Sequence, residues 1–373
     1  MKTEFKQLGK SFAQVARELG CSKPTLVGIV NHGIFPKRNG DTLRAQIQDY
    51  FKRRGMDISG SLKPAETKKE TEMLLRKSAL SQATRQHFGL NRDPFHDEIR
   101  QAQDVYLTPD VRYVREALFQ TATQGGFMAV VGESGAGKST LREDLHDRIA
   151  RENRPIIVIE PYVLAMEDND QKGKTLKAVH IAEAILASVA PDVSPKRSPE
   201  SRFRQVHQAL IESAKAGNKH ILLIEEAHSL PIPTLKHLKR FFELKQGFER
   251  LIGIALIGQT ELAQKLSENN PSVREVVQRC ELVTLLPLTD GKLQGYLKHK
   301  FERVGVKIED ILDESAIDEI AKRLTVTSRN SKNALQQNSL LYPLAVNNLV
   351  SAAMNEAANL GFAKVDADIV KGV

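Results

Sequence analysis

Residues 127 to 140 read FMAVVGESGAGKST: an apolar run, a glycine-rich turn, then residues that open a helix. Within them Gly132, Glu133, Ser134, Gly135, Ala136, Gly137, Lys138 and Ser139 fit the spacing GxxxxGK[ST] at every defined position. The spacing has a chemical reason. Glycines let the backbone wrap closely, so consecutive N–H groups and the following helix's N-terminus, with Thr140 in its first turn, converge on a chain of phosphates. Lys138 is placed to reach the β and γ phosphates and Ser139 to hold Mg²⁺. The strand before the turn and the helix after it stand where the motif needs them, which favours ATP binding over a chance match. A ligand is thereby named, but not a task.

Two further positions carry charge where charge needs a reason. The run HILLIEEA, residues 220 to 227, ends in Glu225 and Glu226, and carboxylates at the edge of a buried strand are costly unless they have work or partners. In a nucleotide site the first acid supports Mg²⁺ through its water shell and the second polarises the water that attacks the γ phosphate. Asp is usual at the first place, so Glu226 as the base is the firmer of the two assignments. Next, LIGIALIG at 251 to 258 is followed by Gln259 and Thr260, a polar step where a sensor of the γ phosphate would sit. Gln259 is the candidate, and a helix-capping Thr260 is the plainer reading. Arg274 and Arg279 precede the last apolar run, from which an arginine can reach the nucleotide of a neighbouring subunit; Arg279 fits best, with a surface arginine as the alternative.

These residues require a scaffold, and the chain supplies one. Five apolar runs, at 127 to 132, 155 to 161, 220 to 227, 251 to 258 and 282 to 288, alternate with helix-length segments from Phe88 onward. Near-continuous apolar strands separated by helices predict an α/β fold, a parallel sheet covered on both faces. The tail from Thr289 reads as successive helices. The expected domains are therefore 1 to 56, a linker and charged helix at 57 to 87, a nucleotide-binding core at 88 to 288 and a helical lid at 289 to 373.

Composition narrows the class. The 373 residues are 41% hydrophobic and 27% charged, without Trp and without an apolar run near the roughly 18 residues of a membrane span. MKTEFKQLGKSF lacks the apolar core of a signal peptide, and two cysteines, Cys21 and Cys280, make no disulfide framework, so a cytoplasmic protein without a membrane partner is expected. The net charge is +8, and residues 1 to 56 hold eleven Lys or Arg against four Asp or Glu. Such a module suits a polyanion, most simply double-stranded DNA.

Residues 11 to 33, SFAQVARELGCSKPTLVGIVNHG, read as helix, turn, helix. Phe12, Val15, Ala16 and Leu19 recur at helical spacing, Gly20 stops the helix, and Ser22 can cap the next one, with Pro24 in its first turn. Lys23, Thr25 and Asn31 are the exposed candidates for DNA contact. The region resembles the repressor-like helix-turn-helix family over roughly residues 8 to 56, although such folds also serve as protein-contact domains. Between 164 and 200, Lys172, Lys174, Lys177, Lys196 and Arg197 could track a DNA backbone, or be solvated charges among Glu167, Asp168 and Asp170.

The order of phosphate loop, EE-ended strand, GQ-ended strand and QRC arginine resembles AAA+ ATPases across roughly residues 88 to 370. Within them it is similar to the branch of the phage Mu B type of transposition ATPase, with related ATPases of bacterial transposons and secretion systems. That resemblance implies subunits joined by ATP into a filament or ring on largely arbitrary DNA, a DDE-type transposase as partner, and Val105, Tyr106 and Leu107 near the adenine, or else in structural packing. It also implies a second sensor arginine in the lid, where Leu344 and Ala345 stand instead; Arg329 could substitute or be an ordinary loop residue. A replication-initiator or helicase-loader ATPase, a nucleotide-switched transcription regulator and a secretion-associated ATPase are the rival readings.

Overall fold

The computed structural model describes residues 12–22, 25, 26, 29, 40–54, 78–95, 99, 101–161, 176–267, 270–329 and 335–373. The chain divides into two units, Met1–Arg76 and Lys77–Val373. In the first, helices α1 (Phe12–Glu18) and α2 (Gly40–Lys52) carry the apolar faces that periodicity demands. Val15, Ala16, Leu19, Leu26, Ile29, Leu43, Ile47, Tyr50 and Phe51 close over one another as a small core. Gly20 ends α1 in the left-handed conformation, and the Ser22 hydroxyl accepts the Thr25 amide at 3.2 Å, as a residue opening a helical turn does. Glu18 receives the Tyr50 hydroxyl at 2.5 Å and the Arg54 guanidinium at 3.3 Å, tying α1 to the end of α2.

The second unit begins with α3 (Gln82–His87), which belongs to the part of the chain read as linker and charged helix. Its N-cap Ser81 accepts the Thr84 amide at 3.0 Å. The same turn is held to a distant helix, since Asn355 accepts from the Ser81 amide at 3.0 Å and from the Thr84 hydroxyl at 2.7 Å. After α4 (Pro109–Gln124) come β1 (Phe127–Val131), α5 (Lys138–Arg151), β2 (Ile156–Ile159), α6 (Ala178–Val189), α7 (Pro199–Lys215), β3 (Lys219–Ile224), α8 (Ile232–Phe242) and a hairpin of β4 (Lys245–Gln246) and β5 (Glu249–Arg250). Then follow β6 (Gly253–Gly258), α9 (Thr260–Lys265), α10 (Arg274–Val277) and β7 (Glu281–Thr284).

Five strands form one parallel sheet in the order β2-β3-β6-β1-β7. Alternate side chains of each strand serve opposite layers. Ala129, Leu222, Ile254 and Leu256 pack under α6, α7 and α8 with Ile181, Ile185, Leu210 and Leu238. Met128, Val130, Ile221, Leu223 and Ile257 pack under α4 and α5 with Val114, Leu118, Leu141 and Leu145. Each such Leu or Ile contributes about 1.5–3 kcal/mol on burial, so both faces must be covered and the central strands read as unbroken apolar runs. Strand order then does the functional work: β3, β6 and β1 are neighbours, and their C-terminal ends lie side by side.

Two elements differ from the reading of the sequence. The last apolar run, expected as a strand over 282 to 288, is a strand only over β7, and Leu286 is 54% exposed. Leu285 still donates to the Val131 carbonyl at 2.8 Å, but β1 ends there and Pro287 has no N–H to extend a ladder. The tail is not helices alone. Helices α11 (Lys292–Glu302), α12 (Ile308–Ile311), α13 (Glu314–Arg323), α14 (Pro343–Leu360) and α15 (Ala367–Gly372) are interrupted by a hairpin of β8 (Thr325–Arg329) and β9 (Leu335–Ser339). The β-branched run Thr325, Val326, Thr327 favours a strand over a helix. Asp290 and Gly291, both left-handed, join the sheet to α11. Among the described residues no helix is long and apolar enough to cross a membrane.

Candidate nucleotide site

Beyond the C-terminal ends of β1, β3 and β6 lies a cleft of about 460 Å³, lined on one wall by residues 134–141 and on the others by Tyr106, Glu226, Gln259, Tyr296 and Leu344. The loop from Gly132 to Ser139 is built as its spacing requires. Gly132 donates to the Gly258 carbonyl at 3.2 Å, Ala136 to the Glu133 carbonyl at 3.1 Å, and Gly135 and Gly137 take φ of 77° and 93°. Gly137 begins α5 without any side-chain cap, so the first amides of this 14-residue helix are left for an anion. This is the observation by which the site fits a phosphate chain.

Lys138 does not point into empty space. Its ammonium donates to the carbonyls of Gly132 and Glu133, both at 2.8 Å, so the lysine folds back on its own loop. Burial pushes its pKa below the usual lysine range, against the opposing pull of Glu226, Glu133 and Glu261. A phosphate would exchange two neutral acceptors for charged ones, which form the stronger bonds. Ser139 and Thr140 line the same wall.

The two acids part company. β3 stops at Ile224, and Glu225 turns to Arg142, one helical turn beyond Ser139 on α5, at 2.7 Å. Glu226 faces the cleft with φ 48° and ψ 32°, a left-handed conformation rarely taken by a residue with a side chain. Gln259 sits at the end of β6 as the N-cap residue of α9, its side chain making no capping bond. Thr260 is not the cap; its hydroxyl donates to Glu133 at 3.0 Å and braces the phosphate loop.

The other end of the cleft is aromatic. Tyr106 packs against Tyr296 with ring centroids 5.7 Å apart and against His299 at 5.6 Å. Tyr296, buried and donating to Asn347 at 2.8 Å, has its phenol pushed well above the ordinary range by that burial. Lys300, one turn further on α11, is buried and faces the cleft. Where the resemblance implied a sensor arginine, Leu344 rests on the phosphate loop: its amide donates to the Gly135 carbonyl at 3.3 Å, and a β-carbon on Gly135 would collide with it.

Not every candidate comes to this cleft. Arg279 lies elsewhere, donating to the Glu275 carbonyl at 2.8 Å and pairing with Glu243 at 3.4 Å. Thr25 has its hydroxyl on that of Ser22 at 2.7 Å. Lys23, Asn31, Lys172 and Lys174 lie outside the described residues. Tyr296, Lys300 and Leu344 line the cleft, and Arg142 holds Glu225 beside it, although the sequence reading gave none of them a role; only Arg142, one turn past the motif on a helix, left a usable signal.

Residues 121–266 match the family model described as an AAA domain. This segment is an AAA-type ATPase domain. The AAA domain begins within α4 and ends just past α9, so it holds the phosphate loop, Glu225, Glu226 and Gln259. Over 235 residues the chain is 24% identical to General secretion pathway protein A of Aeromonas hydrophila, covering 59% of this chain and 38% of that protein. The chain thus spans little more than a third of that relative's length. Among solved structures, Drosophila ORC bound to DNA has a TM-score of 0.50 at 12% identity, over 83% of this chain and 73% of its own. Cdc6p of Pyrobaculum aerophilum has a TM-score of 0.45 at 12% identity, over 78% and 69%. At these identities the likeness is one of fold.

Proposed function

We propose that the chain is an ATP-dependent DNA-binding ATPase of DNA transposition, which assembles on target DNA with ATP, delivers it to a DDE-type transposase and leaves on hydrolysis. The observation that carries the reading is the joining, in one chain, of the nucleotide cleft containing Glu226 to a basic unit whose second helical turn opens on Ser22. ATP lies along residues 132–140, with its base toward Tyr106. Lys138 leaves the carbonyls of Gly132 and Glu133 for the phosphates, Glu226 takes the proton of the attacking water, and Gln259 senses the γ phosphate. Ser139, with Glu225 behind it, would hold Mg²⁺, which would supply charge neutralisation at the phosphates.

Arg279 of one subunit completes the site of the next, a head-to-tail contact that generates filaments or rings. Hydrolysis by the lone subunit is accordingly slow and rises when a partner is bound. The basic stretch at 1 to 56, with Lys23, Thr25 and Asn31, grips double-stranded DNA, helped by Lys172 and Lys174. The domains serve as read above: DNA-binding head to residue 56, connector to 87, core to 288, lid to 373. The fold shared with Drosophila ORC bound to DNA supports a DNA partner and favours a second reading, a replication initiator, which would bind one sequence.

Electron microscopy of the protein with random-sequence duplex DNA and Mg²⁺, under ATP, a nonhydrolysable analogue, ADP or no nucleotide, tests this. Filaments on arbitrary DNA with ATP and the analogue alone are expected. Discrete complexes on one sequence would support the initiator, and indifference to nucleotide would overturn both.

A further inference from the structure

We infer that His228 is a positioning residue of the ATPase, linking Glu226 to the end of strand β6 so that base and sensor are held as one unit. The inference rests on the reading of Glu226 as the base.

The difficulty it resolves is geometric. Glu226 has a side chain 53% exposed, and an exposed carboxylate visits several rotamers, whereas a general base must stay within hydrogen-bond reach of one water. Its left-handed backbone also needs outside support. Part of that support is local: the Ser229 amide and hydroxyl both donate to the Glu226 carbonyl, at 2.9 and 2.8 Å. The rest comes from α9. Lys265, its pKa lowered by burial, donates to the Leu230 carbonyl at 3.0 Å and also to the His228 carbonyl, pinning the turn that follows the base.

The imidazole completes the link. The Gln259 amide donates to Nδ1 of His228 at 3.4 Å, so Nδ1 presents its lone pair and the neutral ring carries its proton on Nε2. Nε2 stands 3.6 Å from Oε2 of Glu226. One ring therefore spans from the backbone beside the γ-phosphate sensor to the carboxylate of the base. At 3.6 Å the ring and the carboxylate are just short of hydrogen-bond length, so a small shift of the ring that follows Gln259 would bring Nε2 into reach of the carboxylate. In the motif EEAH the histidine otherwise reads as the residue with which a strand end enters solvent; its side chain is only 22% exposed, bonded to the Gln259 amide and 3.6 Å from the Glu226 carboxylate.

The test separates the two nitrogens. Asn at this position offers an acceptor near the place of Nδ1, and Gln offers an N–H near the place of Nε2. Steady-state ATP hydrolysis and ATP affinity are measured for His228→Ala, His228→Asn and His228→Gln, with Glu226→Gln beside them and melting curves for all. His228→Ala is expected to lower kcat by about tenfold to a hundredfold with KM and affinity nearly unchanged, as for a small misplacement of a reacting group. His228→Gln should recover most of the loss and His228→Asn little of it. Wild-type kcat in all three while Glu226→Gln is inactive would overturn the role of His228 and leave the base in place. A loss of kcat with equal losses in affinity and melting temperature, and no recovery by Gln, would make His228 structural only. Rapid turnover by Glu226→Gln would instead remove the base itself.

Discussion

The two ends of the nucleotide cleft are made by different means. At the phosphate end, charge and backbone do the work: Lys138, Glu226 and Gln259 lie just beyond the tips of three adjacent strands, and the first amides of α5 have no side-chain cap. At the aromatic end, shape does it, through Tyr106, Tyr296 and the first turn of α14, brought together from segments 190 residues and more from Tyr106. The first end tolerates little change of residue type, because a proton or a phosphate charge must be met at a fixed place. The second is set by the packing of rings, with the buried Lys300 beside them.

Substitution should reproduce that division. The largest effect is expected at the base: Glu226→Gln lowers kcat by about 10²- to 10⁴-fold while ATP still binds, read from phosphate release beside a nucleotide titration. Lys138→Ala comes next and acts on binding itself, with affinity for a fluorescent ATP analogue falling on the order of a hundredfold as charge-assisted bonds are lost. Tyr106→Ala, at the other end, should weaken binding by about tenfold or less and leave kcat unchanged. Were Tyr106→Ala to lower kcat instead, the two ends would not be separable.

The smallest expected effect lies at the far end of β3, where His220 is buried between the Ser213 hydroxyl and the Leu251 carbonyl, at 2.8 Å from each. Burial holds its pKa below the ordinary imidazole range, with Lys219 adding to the depression and the bond to Leu251 opposing it. The unfolded chain takes up that proton more readily, so the stability due to His220 is complete above the ordinary value and is lost as the pH falls below it. Melting temperature should drop between about pH 7.5 and about pH 5.5, and His220→Gln should flatten the drop. ATP turnover by that variant at neutral pH should match the wild type, which separates the two ends of one strand.

What the sequence made legible follows the same line. The phosphate loop, Glu225, Glu226 and Gln259 are each contiguous with an apolar run, so their place at the sheet edge could be derived once five parallel strands were read. Arg142 is one helical turn from Ser139, a spacing that puts the two on one face of α5, although only the structure shows that this face meets Glu225. Lys300 and Tyr296 left no such trace. A lysine at that spacing reads as solvent-facing, and only the docking of α11 beside Tyr106 buries it. The hairpin of β8 and β9 was hidden for a related reason, since its polar residues match neither period well.

The rest of Leu344 on Gly135 has a thermodynamic consequence. A ligand that needs the apex of the loop in another place must carry the first turn of α14 with it. Nucleotide affinity would then be an intrinsic constant multiplied by the fraction of molecules in which α14 stands clear of the loop. Linkage is reciprocal, so any partner that held α14 away from the loop would tighten nucleotide binding by the same factor by which nucleotide would tighten that partner, without either touching the other's contacts.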